Sequence, residues 1–371
     1  MSDIIKMYKL LPAAALLLSL ATCNAFSACK FETGGIYGSL QDVTMPLRIS
    51  TISIPPDTPV GNVIYQQDTN VATAGIMTVN CVTAGVNKVF YDFDSSVTPV
   101  DGFSNVYATG FPGIGVRYSV KNTNFPASVL ASTVAPINNA IITSFQPAKL
   151  DVTISLIKTA DTVAAGSMQL NNLPHGMYSA GRSDSDKAPY YKFSFSGALQ
   201  VTVPTCNIAP ASATMTVEMG AHPKSEFTGQ GSGTEWKNAS ISLINCPQFF
   251  GNSSTSVGTY TGGNSFSNTA ALTANGLSVK LSPTDGINNS DASIMKIASS
   301  SDAATGIGIQ LSSSESETGK LNINNKITRS LPMGSVIGSL DIPLYARFIQ
   351  TASSVSPGTA IGNLVYTITY Q

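Results

Sequence analysis

Few residues in this sequence are equipped for bond-making chemistry. The chain of 371 residues holds only two histidines, His175 between Pro174 and Gly176 and His222 just before Pro223. They are too isolated to act as an acid–base pair, and the neighbouring Pro and Gly place both in loops. Asp184-Ser185-Asp186 opens like a calcium loop, but no Glu follows at the spacing that would complete the coordination sphere, so a solvated loop is expected. Glu315-Ser316-Glu317 reads as a turn. There is no G-x-S-x-G, no glycine-rich phosphate loop ahead of a helix, and no carboxylate pair suited to glycoside hydrolysis. The expectation is a chain that is not an enzyme, uses no cofactor and holds no metal.

The remaining chemistry is that of thiols. Five cysteines are present, and the N-terminus decides how many count. Lys6 and Lys9 lead into the mostly apolar run Leu10 to Leu20, followed by small residues at Ala21 and Ala25. That is the order of a secretory leader, and the run is too short for a membrane span. Residues 1–25 are expected to be a signal peptide cleaved after Ala25, with Ala28 as the second choice. A lipid-modified Cys23 is disfavoured by Thr22, where a smaller residue is usual. Cleavage removes Cys23 and leaves Cys29, Cys81, Cys206 and Cys246, an even set in an exported chain. No C-x-x-C pair exists to suggest a metal site.

The elements that must position these residues are strands. Only 11% of residues are charged and 43% are hydrophobic, the polar remainder being rich in Ser, Thr, Asn and Gly. A net charge of −1 provides no field that would gather nucleic acid or anionic lipid. Alternation of period two recurs: Leu150, Val152, Ile154 and Leu156; Phe193 and Phe195 through Leu199, Val201 and Val203; Ala213, Met215, Val217 and Met219; Ile342, Leu344, Ala346 and Phe348. Turn clusters such as Pro55-Pro56-Asp57 and Phe111-Pro112-Gly113 separate the runs, which implies sandwiches or barrels. Gly251 to Gly276 reads as loops or a short hairpin rather than core.

The length suits two domains. A boundary falls near residue 203, where Val203-Pro204-Thr205-Cys206 opens a fresh unit, giving 26–202 and 203–371. Two cysteines then lie near the start of each unit, so Cys29 pairs with Cys81 and Cys206 with Cys246. For separations of 52 and 40 residues, the chain-entropy stabilisation is roughly 4 kcal/mol each. Within the first unit, Ile114, Val116, Tyr118 and Val120 point to one side of a strand and Arg117 to the other. A guanidinium there offers a planar fork of donors to a carboxylate or a sugar hydroxyl.

The final segment also alternates. Leu364, Tyr366, Ile368 and Tyr370 share one face, and a strand this apolar needs a neighbour along its edge. Together with Cys206-Asn207-Ile208, Cys246, Gly358 thirteen positions before Gln371, and penultimate Tyr370, it resembles the pilins of chaperone-usher pili. The resemblance implies an immunoglobulin-like sandwich lacking its last strand, completed by strand addition. Leu364, Tyr366, Ile368, Tyr370 and Gln371 would then meet a periplasmic chaperone and later the donor strand of an adjacent pilin subunit, after passage through an outer-membrane usher.

The first unit resembles the receptor-binding domain of type 3 fimbrial adhesins. The likeness rests on Pro56 to Ile64, Val106 to Arg117 and Ile157-Lys158-Thr159, and departs at 121–149 and 179–192. It implies a shallow pocket around Val63, Gln66, Val106, Arg117 and Tyr178. The fold class expected is all-β, with two immunoglobulin-like β-sandwich domains. The function expected is a tip adhesin, exported through the periplasm to the fimbrium tip at the cell surface and binding a host-surface glycan or matrix protein. A tip place also follows from the three residues between the expected cleavage site and Cys29, too few for a donor arm. The competing readings are a non-adhesive structural pilin and a secreted β-rich hydrolase.

Overall fold

The computed structural model describes residues 29–32, 39–72, 77–81, 86–131, 141–145 and 149–371. The expected leader, 1–25, lies outside them. The regular structure of the described chain is almost entirely strand, with one four-residue helical turn, α1 (Pro210–Ala213), and three short 3-10 turns. Buried apolar residues fall into two clusters, one built mainly from residues 29–201 and one from residues 206–370. Both expected disulfides are formed, Cys29–Cys81 and Cys206–Cys246.

The first cluster lies between two sheets. One contains β1 (Val63–Thr69), β2 (Ile114–Val120) and β3 (Thr153–Lys158), with β3 between β2 and β1. The other runs in the order Ala127–Leu130, Lys88–Phe93, Gly176–Ser183, Asp186–Ser196, Gln41–Pro46. Alternation does what the sequence promised. Val116, Tyr118, Ile154 and Leu156 are buried inward while Arg117 is half-buried on the other face. Aromatic rings join the sheets: Tyr118 meets Phe193 edge-on at 5.3 Å and stacks on Phe195 at 5.9 Å. Each such pair adds roughly 0.5–1.5 kcal/mol beyond its area.

The sheet of β1 does not stop at the first unit. On the far side of β1 lies β4 (Ser256–Gly262), parallel to it, and β4 turns back into β5 (Ser265–Ser267). This hairpin falls in the stretch read as loops or a short hairpin rather than core, and the difference lies in its burial. It carries Val257 and Tyr260 into the first core, both nearly inaccessible. Backbone bonds fix the joint: Ser53 N–H donates to Gly251 O at 2.9 Å, Ser253 N–H to Ile64 O at 3.0 Å and Asn70 N–H to Tyr260 O at 2.8 Å. The Arg48 guanidinium donates to Ala270 O. Arg48 is itself held from behind, its N–H donating to Gln67 Oε1 at 2.9 Å, and the Tyr65 hydroxyl donating to the same oxygen at 2.6 Å. Burial pushes that hydroxyl's pKa up.

The second cluster lies beneath Ile241–Gln248, Val336–Ile342, Ile307–Ser312 and Tyr345–Gln350 on one side. On the other lie β6 (Gly276–Pro283) and β7 (Leu364–Tyr370), antiparallel. Gly358 sits where an added Cβ would lie 2.4 Å from the Ala304 backbone nitrogen, so no side chain fits there. Ala213 to Met219 does not form the expected strand. Its first residue ends α1, Met215 is exposed, and no strand lies beside Thr214 to Gly220 among the described residues. Alternation alone cannot supply the missing partner.

Candidate binding face and edge groove

Four of the five pocket residues gather on the outer face of one sheet. Arg117 on β2 stands opposite Ser155 on β3, and Ser155 stands opposite Gln66 on β1. Directly opposite residues share a face, so these three side chains form a row across the strands. One step along, Gly115, Ile157 and Val63 form a second row. A Cβ on Gly115 would lie 2.4 Å from a methyl of Val106, so Val106 covers that position and only glycine admits it. One step the other way, Ser119, Thr153 and Asp68 form a third row, with the Thr153 hydroxyl donating to Asp68 Oδ1 at 2.6 Å.

Tyr178 is not part of this face. It lies on Gly176–Ser183 in the other sheet, packed edge-on against Tyr91 at 5.0 Å, with its hydroxyl donating to Asp151 O at 2.7 Å. Burial, reinforced by neighbouring tyrosines, pushes its pKa well up. Gly176–Ser183 has one aromatic residue among mostly small and polar ones, so the sequence gives no cue to which sheet Tyr178 joins.

The face is polar but nearly uncharged. Arg117 forms no ion pair and no side-chain hydrogen bond among the described residues, so its donors are available to a ligand. The histidines take no part. His175 lies 3.7 Å from Asp94, and His222 is held between Met219 and Glu226. Asp184 and Asp186 are occupied as well, by Lys187 and by the Cys29 N–H. Glu317 joins Arg347, which donates twice to Gln310 Oε1 and lies 4.4 Å from the Trp236 ring centre.

A second feature borders β7. Its strand partner is β6, and no strand lies on its other edge among the described residues. Beside that edge runs a groove of about 1000 Å³, walled by Thr214 to Ala221 and by Ala360 to Tyr366. Its floor is apolar: Ile241, Ile309, Leu311, Leu344, Ala346 and Phe348. Leu364 and Tyr366 line it, whereas Ile368 and Tyr370 do not. The Tyr366 hydroxyl donates to Ser212 O at 2.6 Å, and both residues line the groove. Gln371 exchanges both backbone hydrogen bonds with Gly276, at 2.7 and 2.8 Å.

Residues 45–198 match the family model described as MrkD-like receptor binding domain, and residues 193–371 match the one described as fimbrial protein. A curated protein of Klebsiella pneumoniae, "Fimbria adhesin protein", is 25% identical over 361 residues, spanning 96% of this chain and 97% of its own. Among solved structures, the CupB6 tip adhesin of Pseudomonas aeruginosa aligns at 14% identity over 92% of this chain and 94% of that one, with TM-score 0.34. The receptor binding domain of the Klebsiella pneumoniae adhesin MrkD1P aligns at 24% identity over 49% of this chain and 99% of its own, with TM-score 0.33.

Proposed function

Since the chain belongs to the fimbrial adhesins, with a MrkD-like receptor-binding domain followed by a fimbrial protein domain, we propose that it attaches the bacterium to a host-surface glycan or matrix protein from the tip of its fibre. The second sandwich is one strand short and is completed by a strand from outside the chain, first a periplasmic chaperone's and then an adjacent pilin subunit's. Export through the periplasm and an outer-membrane usher belongs to the same reading.

One observation carries the assembly reading: the apolar groove runs along the unpaired edge of β7. An unpaired edge beside an apolar slot is what strand addition requires, because backbone pairing gives affinity and alternate side chains filling the slot give register. Addition would bury the inward side chains of Leu364 and Tyr366 more fully.

The adhesive reading is supported by the available Arg117 on a sheet face of hydroxyls and amides. The test is display of the whole chain with its chaperone, followed by binding to glycan arrays and immobilised collagen. Binding abolished by Arg117→Ala supports it. A correctly assembled protein that binds neither surface sinks the adhesive reading in favour of a structural pilin.

A further inference from the structure

The hairpin β4–β5 comes from the fimbrial half of the sequence, yet it completes the sheet that carries the candidate receptor face. β4 runs alongside β1 with Ser256 opposite Gln66 and Thr259 opposite Asp68. Thr259 lies three positions after Ser256, whereas Asp68 lies two after Gln66, so the register shifts at this point. In an unbroken strand, residues three apart point to opposite faces. The extra residue restores them to one face, which is the structural effect of a bulge. The same offset places Val257 and Tyr260, also three apart, together in the core. Gly258 suits this turn of the strand, since a Cβ there would already stand 3.0 Å from Arg48 Cδ.

The rows described above therefore extend by one strand. One reads Arg117, Ser155, Gln66, Ser256, and the other Ser119, Thr153, Asp68, Thr259. Across four strands this is a platform about 14 Å wide, with its two rows about 7 Å apart. Its side chains are hydroxyls and one amide, with a single cation and a single anion; Asp68 is already engaged by Thr153, Ser155 is nearly buried, and the Ser256 hydroxyl donates to Gly258 O at 3.1 Å, which leaves its lone pairs to accept from a ligand. The adjoining row of Gly115, Ile157 and Val63 is apolar.

We infer that Ser256 and Thr259, from the fimbrial half, are specificity-determining residues of a composite saccharide-binding face shared with Gln66 and Arg117. The inference rests on the adhesive reading and deepens it. A saccharide fits because its hydroxyls match a field of alternating donors and acceptors, bordered by half-buried Val63, whereas Gly115 and Ile157 are covered. The unpaired guanidinium favours an acidic sugar. β4 occupies this edge of β1, so an extended peptide cannot add there as a further strand.

The test uses the whole chain with its chaperone, applied to arrayed neutral, sialylated and sulfated glycans and, separately, to immobilised collagen. Ser256→Ala and Thr259→Val are compared with the unaltered chain, with thermal midpoint and amide exchange of Val257 and Tyr260 confirming that the hairpin stays docked. The expected result is binding to an acidic glycan, weakened about tenfold by the double variant through two lost hydrogen bonds, with unchanged hairpin protection. Glycan binding lost with Arg117→Ala but untouched by the double variant overturns the composite face and leaves the adhesive reading standing. Binding to collagen alone overturns the saccharide class. No binding to either surface overturns the adhesive reading itself.

Discussion

Asp57 and Tyr370 meet across the joint between the two halves: the Tyr370 backbone N–H, on the unpaired edge of β7, donates to Asp57 Oδ2 at 2.8 Å. The Tyr370 hydroxyl accepts in turn from the Cys206 N–H at 3.3 Å, beside the second disulfide. Next to Asp57, Pro56 O accepts from the buried Lys158 ammonium at 2.6 Å, at the end of β3. Desolvation lowers the pKa of that ammonium. A short path of hydrogen bonds thus runs from the sheet of β1, β2 and β3 to the last strand of the chain.

Replacing Asp57 by Ala removes the only partner of the Tyr370 amide among the described residues. A hydrogen bond to a charged acceptor contributes about 1.5 kcal/mol where buried, less at this exposed aspartate. Exchange of the Tyr370 amide should therefore quicken several-fold while that of Gln371, bonded to Gly276, stays put. Equal acceleration at both amides would show general fraying and would refute a specific cap.

Tyr260→Ala should separate the halves. Tyr260 is a buried ring contributed by the hairpin and packed edge-on against Phe266 at 5.3 Å. Losing a buried aromatic costs about 3 kcal/mol, and here the cost falls on the joint. Calorimetry of the unaltered chain is expected to show one coupled transition, and the variant two. A single transition shifted as a whole would mean that the hairpin is not what links them. By the same logic, residues 26–202 expressed alone would lack β4 and expose the edge of β1.

Strands with strict alternation were legible because a period of two is a direct image of a two-faced sheet. Ile114 to Val120 forms the expected strand, Leu150 to Leu156 alternates in burial although the strand breaks at Asp151 and Val152, and the outward turn of Arg117 followed from its apolar neighbours. The short hairpin's place in the core was hidden by the very offset that makes it useful. Val257 and Tyr260 are three apart, so no period-two pattern marks them, and the Ser, Gly and Thr around them resemble loop. Gly262-Gly263-Asn264 between Tyr260 and Phe266 was the available signal, with all three residues at positive φ. Tyr178 failed for another reason. A sequence shows alternation within a strand but not which neighbouring sheet it joins.

His222 gives a pH signature to the groove wall. Its Nε2 lies 2.8 Å from Met219 O and its Nδ1 2.9 Å from Glu226 Oε2, while Met219 and Ala221 line the groove. The Met219 carbonyl first, and the Glu226 carboxylate second, favour the imidazolium and raise its pKa above the ordinary value. A raised folded-state pKa means that the stabilisation is complete below about 6.5, the unfolded value, and is lost as pH rises through the folded one. Amides of Gly220 to Glu226 should be better protected at about pH 5.5 than at about pH 8. An NMR titration midpoint at or below the ordinary histidine value would contradict this pinning.

The edge of β7 makes an alternating prediction. Because Gln371 and Gly276 exchange both backbone bonds, the register with β6 gives Thr369, Thr367 and Val365 the same relation to Ser278, Lys280 and Ser282. Their N–H groups point to β6, and those of Ile368, Tyr366 and Leu364 point to the unpaired edge. Without a partner, amide exchange should be slow at 365, 367 and 369 and fast at 364, 366 and 368. Adding a peptide of alternating apolar residues should slow Leu364 and Tyr366, which line the groove. Ile368 should respond only if the Tyr366–Ser212 hydrogen bond opens, and Tyr366→Phe should therefore extend protection inward by one residue pair. Uniform protection along β7 before any peptide is added would mean that the edge is already filled, and the second sandwich would then need no strand from outside.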